Sequence, residues 1–283
     1  MTLVIVQKTP KSISFSSDSR ITFGPGIYYD AGIKIFPVPL KIYSPTAVET
    51  GVTTLLHEGI LGMAVAGSTI NTFTIKDSIC EILQHLQVIP GHTDLSLENV
   101  AALVLKVFKK TTLDLSAVLR KGALGLLILG GWCPVDQRIK LFKFWSEVVY
   151  GLLESRFEEI LTTDGVACFG SGEQEANHAY LGNPHQHPLR VIRDIIRSQA
   201  DPTVGGALQY GDFAGQDFRV AGIYDYEVDQ EGHFANYRQT LRGIDLYKDD
   251  FERDTTGFHI EYTFVNPFQG EVDALMKKFL DEH

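Results

Sequence analysis

The chain has 283 residues, 44% of them hydrophobic and 21% charged, and its formal net charge of -10 at pH 7 argues against nucleic acid as a partner. No apolar run reaches the length of a membrane span, and the amino terminus lacks the basic and long apolar regions of a signal peptide, so we expect no membrane association. The three cysteines are widely spaced and odd in number, which indicates reduced core thiols in a cytoplasmic protein.

Strands and helices follow one another in a regular order along the chain. Strands are predicted where short apolar runs are bounded by turn residues, and helices where apolar residues recur every three or four positions. The predicted strands are residues 2–7, 12–17, 34–38, 59–66, 123–130, 138–145, 165–170, 206–209 and 218–226. The predicted helices cover residues 75–86, 100–108, 173–180 and 188–199. This order predicts an α+β fold with two sheets packed face to face and helices outside, a four-layer αββα sandwich.

The carboxyl-terminal part, residues 227–283, continues beyond this pattern as an extension. Apolar and polar residues alternate over 258–264, which predicts a half-buried strand, and an amphipathic helix is predicted at 272–280. The helix packs either on its own subunit or on a neighbouring one. No linker or repeat divides the chain, so we expect a single domain over residues 1–283.

Thr2 is the first candidate for catalysis, because removal of Met1 makes it the first residue of a strand. A free α-amine, with a reference pKa of about 7.7 to 8.0, can take the proton of the threonine hydroxyl on the same residue. Nucleophile and base then share one residue. The alternative is an ordinary amino terminus without catalysis.

Three later positions strengthen this interpretation. Asp18 stands in Ser16-Ser17-Asp18-Ser19-Arg20, Lys34 follows Asp30-Ala31-Gly32-Ile33, and Gly67 ends the run Ile60-Leu61-Gly62-Met63-Ala64-Val65-Ala66. The order of these positions, and the first two spacings between them, resemble the proteasome β-type family of N-terminal-nucleophile hydrolases. That family includes the bacterial proteasome-like peptidase that works with a ring ATPase. The interval from Lys34 to Gly67 is longer than in that family by roughly a hairpin, over residues 39–58.

Each of these residue types suits the chemistry that the resemblance implies. A lysine near Thr2 depresses the pKa of the α-amine and stabilises the alkoxide, and Asp18 is the natural counter-ion for a buried lysine. Backbone N–H groups at the strand-to-helix junction after Gly67 suit an oxyanion. Taken singly, Asp18 and Arg20 also fit a solvated turn, Lys34 a strand-edge lysine and Gly67 a turn glycine.

Two further catalytic positions come from the resemblance. Ser171 in Gly170-Ser171-Gly172 matches the serine that contacts the amino-terminal amine, although Ser171 with Gln174 also forms a capping box. Asp201, in Asp201-Pro202-Thr203-Val204-Gly205-Gly206, matches the acid of the family's Asp-x-x-Ser-Gly-Gly. The family's serine is Val204 here, so its hydroxyl is replaced by Thr203 or by water, or is not needed.

The resemblance also implies a substrate-binding pocket without charge. By position in the family, the residues lining it are Ile21, Gly32, Phe36, Val65 and Thr69. We therefore expect a preference for uncharged, apolar side chains. His185 and His187 lack placed partner ligands, so we assign no metal and no cofactor.

Three functions remain open from the sequence. The first is a threonine peptidase acting on peptides or unfolded proteins, assembled as a homo-oligomeric ring or helix and supplied by an ATPase partner. The second is a stand-alone amidase of the same fold. The third is a non-catalytic scaffold subunit.

Overall fold

The computed structural model describes residues 2–24, 26–47, 51–229, 234–246 and 261–282. The strands are β1 Leu3–Lys8, β2 Ile13–Asp18, β3 Ile21–Gly24, β4 Ile27–Tyr29, β5 Ile35–Tyr43, β6 Leu55–Gly67, β7 Leu86–Gln87, β8 Gly125–Cys133, β9 Arg138–Val149, β10 Leu152–Ile160, β11 Gly165–Gly170, β12 Leu208–Ala214, β13 Asp217–Val228, β14 Phe234–Leu241, β15 Ile244–Asp245 and β16 Phe264–Val265. The helices are α1 Thr69–Ile82, α2 Leu97–Leu119, α3 Glu173–Gly182, α4 Pro188–Ser198 and α5 Gln269–Glu282, and a 3-10 turn covers Arg120–Ala123.

The strands form two main sheets. Sheet I has the order β11-β1-β2-β12-β13-β14-β15, with β16 parallel to β13, and sheet II has the order β10-β9-β8-β6-β5-β7. Strands β3 and β4 form a separate hairpin. Within sheet I, β1 lies between β11 and β2, so the amino-terminal strand is central rather than at an edge.

Three apolar clusters hold the sheets and helices together. One lies between the sheets, where the rings of Phe213 and Phe218 are 5.2 Å apart and both pack on Phe15. A second joins sheet II to α1 and α2, and a third joins sheet I to α3, α4 and α5. Burial of apolar side chains on both faces of each sheet is the main stabilising term of this arrangement.

The carboxyl-terminal helix α5 packs on its own chain. Val272 is 1% exposed and belongs to the apolar cluster on sheet I together with Phe268 and Tyr226. The predicted strand at 258–264 lies outside the described residues except for 261–264, of which Phe264 begins β16. The predicted helix residues Phe279 and Leu280 likewise have no described side chains.

Several elements differ from the sequence-based expectation. The sequence pattern does not predict the hairpin β3–β4 or the strand β10, which lies at the edge of sheet II and lacks a regular alternation of apolar and polar residues. Strand β10 follows β9 through Tyr150 and Gly151, which have positive φ angles of 50° and 81°, as a tight hairpin turn requires. The described residues of 39–58 lengthen β5 and β6, whose pairing runs from Ile35↔Ala64 to Tyr43↔Leu55.

Antiparallel pairing brings the ends of several strands to one place. The start of β1 lies beside the ends of β2 and β11, since Val4 pairs with Ser17 and Leu3 with Gly170. The start of β12 is also there, because Leu208 pairs with Asp18. Within the described residues, no helix is both long and apolar enough to cross a membrane.

Candidate active site

Thr2 is buried at this meeting point, with a relative exposure of 2%. Its hydroxyl Oγ1 donates a hydrogen bond of 2.7 Å to Asp18 Oδ1 and contacts the Nζ atom of Lys34. A hydroxyl held between a carboxylate and an ammonium has both its proton and its oxygen engaged by charged groups. The three residues are separated by 16 and 32 positions in the chain, so the fold and not local sequence brings them together.

Asp18 is fully buried and organises this part of the site. Its carboxylate accepts backbone hydrogen bonds from Leu3 at 2.9 Å, Arg20 at 3.1 Å and Gly205 at 3.0 Å. It also pairs with Lys34 Nζ at 2.7 Å. A buried carboxylate is costly unless its oxygens are satisfied, and here each oxygen has at least two donors.

Lys34 directly precedes β5 and is 5% exposed. Its backbone N–H donates to the Oε1 atom of Gln209 on β12 at 2.9 Å, which fixes the start of β5 against sheet I. Burial lowers the pKa of the Lys34 ammonium, and the charge of Asp18 opposes this effect.

The backbone nitrogen of Thr2 has a separate set of partners. It donates to Ser171 Oγ at 3.2 Å, and Ser171 Oγ lies 2.6 Å from the hydroxyl of Thr203. Thr203 in turn bonds Asp201 Oδ1 through both its hydroxyl at 2.6 Å and its N–H at 2.8 Å. Asp201 therefore reaches the backbone nitrogen of Thr2 through two hydroxyl groups.

This set of contacts answers two questions that the sequence left open. Ser171 does not cap α3, because the residue at the cap position is Gly172. The capping box expected from Ser171 and Gln174 is thus wrong. Val204 is 3% exposed and packs in the apolar cluster of sheet I, and the hydroxyl beside Ser171 belongs to Thr203.

Gly67 ends β6 with a φ of +90°, a backbone conformation that residues with a side chain rarely adopt. A Cβ atom at this position would meet the carbonyl oxygen of Leu124 at 2.9 Å. The N–H of the following residue, Ser68, already donates to that same carbonyl at 3.0 Å. Helix α1 begins at Thr69, so the positive end of its dipole lies at this junction.

A narrow cavity connects these groups. It measures about 20 Å³, room for roughly one water molecule, and Thr2, Lys34 and Gly67 contribute to its wall. The remaining wall is formed by Arg20, Ile21, Ile33, Val65, Ala66, Thr69, Thr72 and Phe73.

Three of the five residues expected in the substrate pocket line this cavity, namely Ile21, Val65 and Thr69. Gly32 does not, because it lies behind Ile21, whose side chain occupies the space where a Cβ of residue 32 would stand. Phe36 does not either. Its ring packs edge-on against Phe73 of α1, with the centroids 5.9 Å apart.

Arg20 is the charged residue of the cavity wall apart from the Lys34 ammonium, and its charge is neutralised locally. Its guanidinium forms two bonds with Asp30, at 2.7 and 2.8 Å, and lies 4.5 Å from the centre of the Tyr28 ring. The hydrogen bond from Arg20 holds the pKa of Asp30 below its usual range.

Away from this site, the described residues contain one group of potential metal ligands, formed by Glu98, Cys133 and Asp136. The ammonium of Lys140 already lies among them, 2.8 Å from Asp136 and in contact with Glu98. We interpret this group as an ion-pair cluster. His187 serves as the cap of α4, where it accepts from Leu189 N, and burial lowers its pKa to about 4.

Comparisons with known proteins support the fold. No protein-family model and no curated protein matches this sequence. Solved structures do match it: Anbu, the ancestral beta-subunit, from Yersinia bercovieri is 16% identical with a TM-score of 0.53, over 77% of this chain and 86% of its own. The helical assembly of the Anbu complex from Pseudomonas aeruginosa is 14% identical with a TM-score of 0.53, over 99% and 96%.

A third similar structure is Anbu from Hyphomicrobium sp. strain MC1, which is 12% identical with a TM-score of 0.51, over 92% of this chain and 99% of its own. At such low identity the similarity establishes architecture and not activity. The chain shares the α+β fold of these Anbu structures.

Proposed function

We propose that this protein is a threonine-type peptidase that hydrolyses peptide bonds with Thr2, exposed by removal of Met1. The observation that carries the proposal is the contact of a buried threonine hydroxyl with both members of the Lys34–Asp18 ion pair. Burying two charges costs several kcal/mol, which only good geometry offsets. A buried ion pair is therefore not expected beside an amino terminus that has no function.

The reaction begins when the free α-amine of Thr2 takes the proton of its own hydroxyl. The Oγ1 atom then attacks the carbonyl carbon of the substrate, and the negative charge of the tetrahedral intermediate is stabilised by the N–H of Gly67. The amine returns the proton to the leaving nitrogen, which departs as a free amine and leaves an ester on Thr2. Water, deprotonated by the same α-amine, hydrolyses the ester and restores the enzyme.

Lys34 and Asp18 have different roles in this scheme. The positive charge of Lys34, next to Thr2 Oγ1, favours the alkoxide and keeps the nearby α-amine unprotonated. Asp18 holds Lys34 in place at 2.7 Å and fixes the backbone of Leu3, the residue after the nucleophile. Ser171 positions the amine, with Asp201 behind it.

The cavity wall sets the expected substrate. Ile21, Ile33, Val65, Ala66 and Phe73 are apolar, so we propose cleavage after uncharged, apolar residues. Fluorogenic tetrapeptides that differ only in the residue before the cut test this assignment. Faster turnover after lysine, arginine or glutamate would contradict it.

We also propose a cytoplasmic homo-oligomer, ring or helical, in which the two sheets and the helices outside them form an αββα sandwich. The three apolar clusters support the layers, and the helical assembly of a similar protein from Pseudomonas aeruginosa supports association. An ATPase partner is a proposal from the family resemblance alone.

A stand-alone amidase is the second candidate, because the same contacts of Thr2 with Lys34 and Asp18 would serve the hydrolysis of any amide. Light scattering separates the two, since a monomer cannot enclose its own active sites. Turnover of small amides without turnover of peptides would support the amidase.

Covalent labelling of Thr2 is the central test. A peptide epoxyketone reacts with both the hydroxyl and the amine of an amino-terminal threonine, so we expect one adduct per chain by intact mass after Met1 removal. Thr2→Ala should give none, whereas Thr74→Ala, on the exposed face of α1, should label like the parent. A processed chain that gives no adduct and cleaves no peptide would favour the scaffold subunit.

A further inference from the structure

The hydrogen bonds that lead from the Thr2 nitrogen to Asp201 pass through an unexpected residue, Thr203. Asp201 and Ser171 are joined by the hydroxyl of Thr203, one position before Val204, where the proteasome β-type pattern has serine. The Val204 side chain is apolar, 3% exposed and packed in the cluster on sheet I. The position that the family uses therefore has no hydroxyl, and an adjacent position supplies one.

The direction of the hydrogen bonds follows from counting protons. Asp201, as a carboxylate, only accepts, so the hydroxyl proton of Thr203 points to Asp201 Oδ1 at 2.6 Å. The Oγ1 atom of Thr203 must then accept from Ser171 at 2.6 Å. This bond is much shorter than the 3.3 Å from Ser171 Oγ to the carbonyl of Thr2, the other acceptor for the same proton.

With its proton directed to Thr203, Ser171 presents lone pairs to the nitrogen of Thr2, 3.2 Å away. A lone pair in that position stabilises the protonated amine, which forms at the moment the amine takes the hydroxyl proton. Lys34 acts on the same amine in the opposite sense, because its positive charge favours the unprotonated form.

We propose that Thr203 is a positioning residue. Its hydroxyl orients the Ser171 hydroxyl, which then stabilises the protonated Thr2 amine against the opposing charge of Lys34. The inference rests on the proposed function, which assigns that amine the role of general base. Without the Thr203 hydroxyl, the Ser171 proton is shared between the carbonyl of Thr2, 3.3 Å away, and the nitrogen lone pair of the amine. Donation to that lone pair favours the unprotonated amine.

The test uses the full chain beginning at Thr2, released from an amino-terminal fusion by cleavage directly before that residue. The pKa of the α-amine is measured from the pH dependence of acylation by a small reagent, read from the mass of the amino-terminal peptide. The pH profile of kcat/KM is measured on a fluorogenic peptide in parallel. Thr203→Val is compared with Thr203→Ser and with the control Thr74→Val, on exposed α1.

For Thr203→Val we expect an amine pKa lower by about half to one unit, the acid limb of kcat/KM displaced to lower pH by the same amount, and kcat reduced about tenfold. Thr203→Ser, which keeps the hydroxyl, should stay within about twofold of the parent, as should Thr74→Val. Thr203→Ala removes the same hydroxyl and gives the second measurement if the valine variant does not fold.

An unchanged amine pKa in the folded Thr203→Val or Thr203→Ala protein would overturn the assignment. So would a change in Thr203→Ser as large as that in Thr203→Val, because the serine keeps the hydroxyl that is proposed to act. If the parent cleaves no peptide but the amine pKa still falls in Thr203→Val, the peptidase proposal fails and the role of Thr203 stands.

Discussion

Removal of the Lys34 charge is the most direct test of the buried ion pair. Lys34→Met keeps an unbranched apolar stem of similar length and leaves the Asp18 carboxylate fully buried. At the observed 2.7 Å and an effective dielectric constant of about 20, the attraction between the two charges is roughly 6 kcal/mol. Desolvation of both groups offsets much of that sum, so the pair itself adds little net stability.

Removing one member of the pair has a larger effect on stability, because the other charge is then buried without its partner. Such changes destabilise proteins by about 3 to 5 kcal/mol. Asp18 keeps backbone bonds from Leu3, Arg20 and Gly205, so we expect the lower end, about 3 kcal/mol. The free energy of unfolding is measured by urea titration at pH 7, with peptide hydrolysis followed in the same preparation.

A double-mutant cycle supplies the control. Adding Asp18→Asn to Lys34→Met neutralises the orphaned carboxylate and should restore at least about 1 kcal/mol of the loss. Activity should stay absent in both variants, because neither supplies an ammonium beside Thr2. A loss below about 1 kcal/mol in Lys34→Met, or additive effects in the cycle, would refute the view that these two charges depend on each other for burial.

Three further outcomes are expected. Gly67→Ala should lower the free energy of unfolding by about 1 to 3 kcal/mol in urea titration because of its φ of +90°, whereas Gly182→Ala, in α3 with open space around it, should not; equal effects would contradict the strained junction. Phe218→Ala should cost about 3 to 5 kcal/mol, measured in the same way, since its ring fills the space between the sheets. The pKa of Asp30 is lowered by Arg20, so the stability from this pair is present above the ordinary carboxyl pKa of 3.8 and is lost as pH falls through the folded-state value. Arg20→Gln should therefore flatten the acid limb of a stability-against-pH curve, and an unchanged limb would rule this out.

Much of the site could be predicted from the sequence. Each of the three residues lies at the end of a strand or directly before one: Thr2 precedes β1, Asp18 ends β2 and Lys34 precedes β5. Antiparallel pairing brings such positions together. The resemblance then gave each a chemical role. The periodicity of apolar residues also located α1 and α2, although α2 extends from Leu97 to Leu119, far beyond the stripe that indicated it.

Other features depend on geometry that no spacing encodes. Phe36 faces the helix side of sheet II and is covered by Phe73, whereas Lys34, two residues earlier, precedes the strand and is not bound by its alternation. Thr203 reaches Ser171 only because of the turn between Asp201 and Gly205, in which Val204 N donates to the Asp201 carbonyl. A pattern that expects the hydroxyl at 204 misses it.

The central position of β1 has a consequence for biosynthesis. Its neighbours β2 and β11 are separated by about half of the chain, and β2 in turn pairs with β12, which begins at Leu208. β1 thus gains its second neighbour only after Gly170 has been made, and β2 gains its own only when synthesis enters roughly the last quarter of the chain. A polypeptide that stalls before Leu208 lacks Gln209, whose side chain accepts from Lys34 N, so we expect the contacts around Thr2 to assemble only in chains that extend into β12.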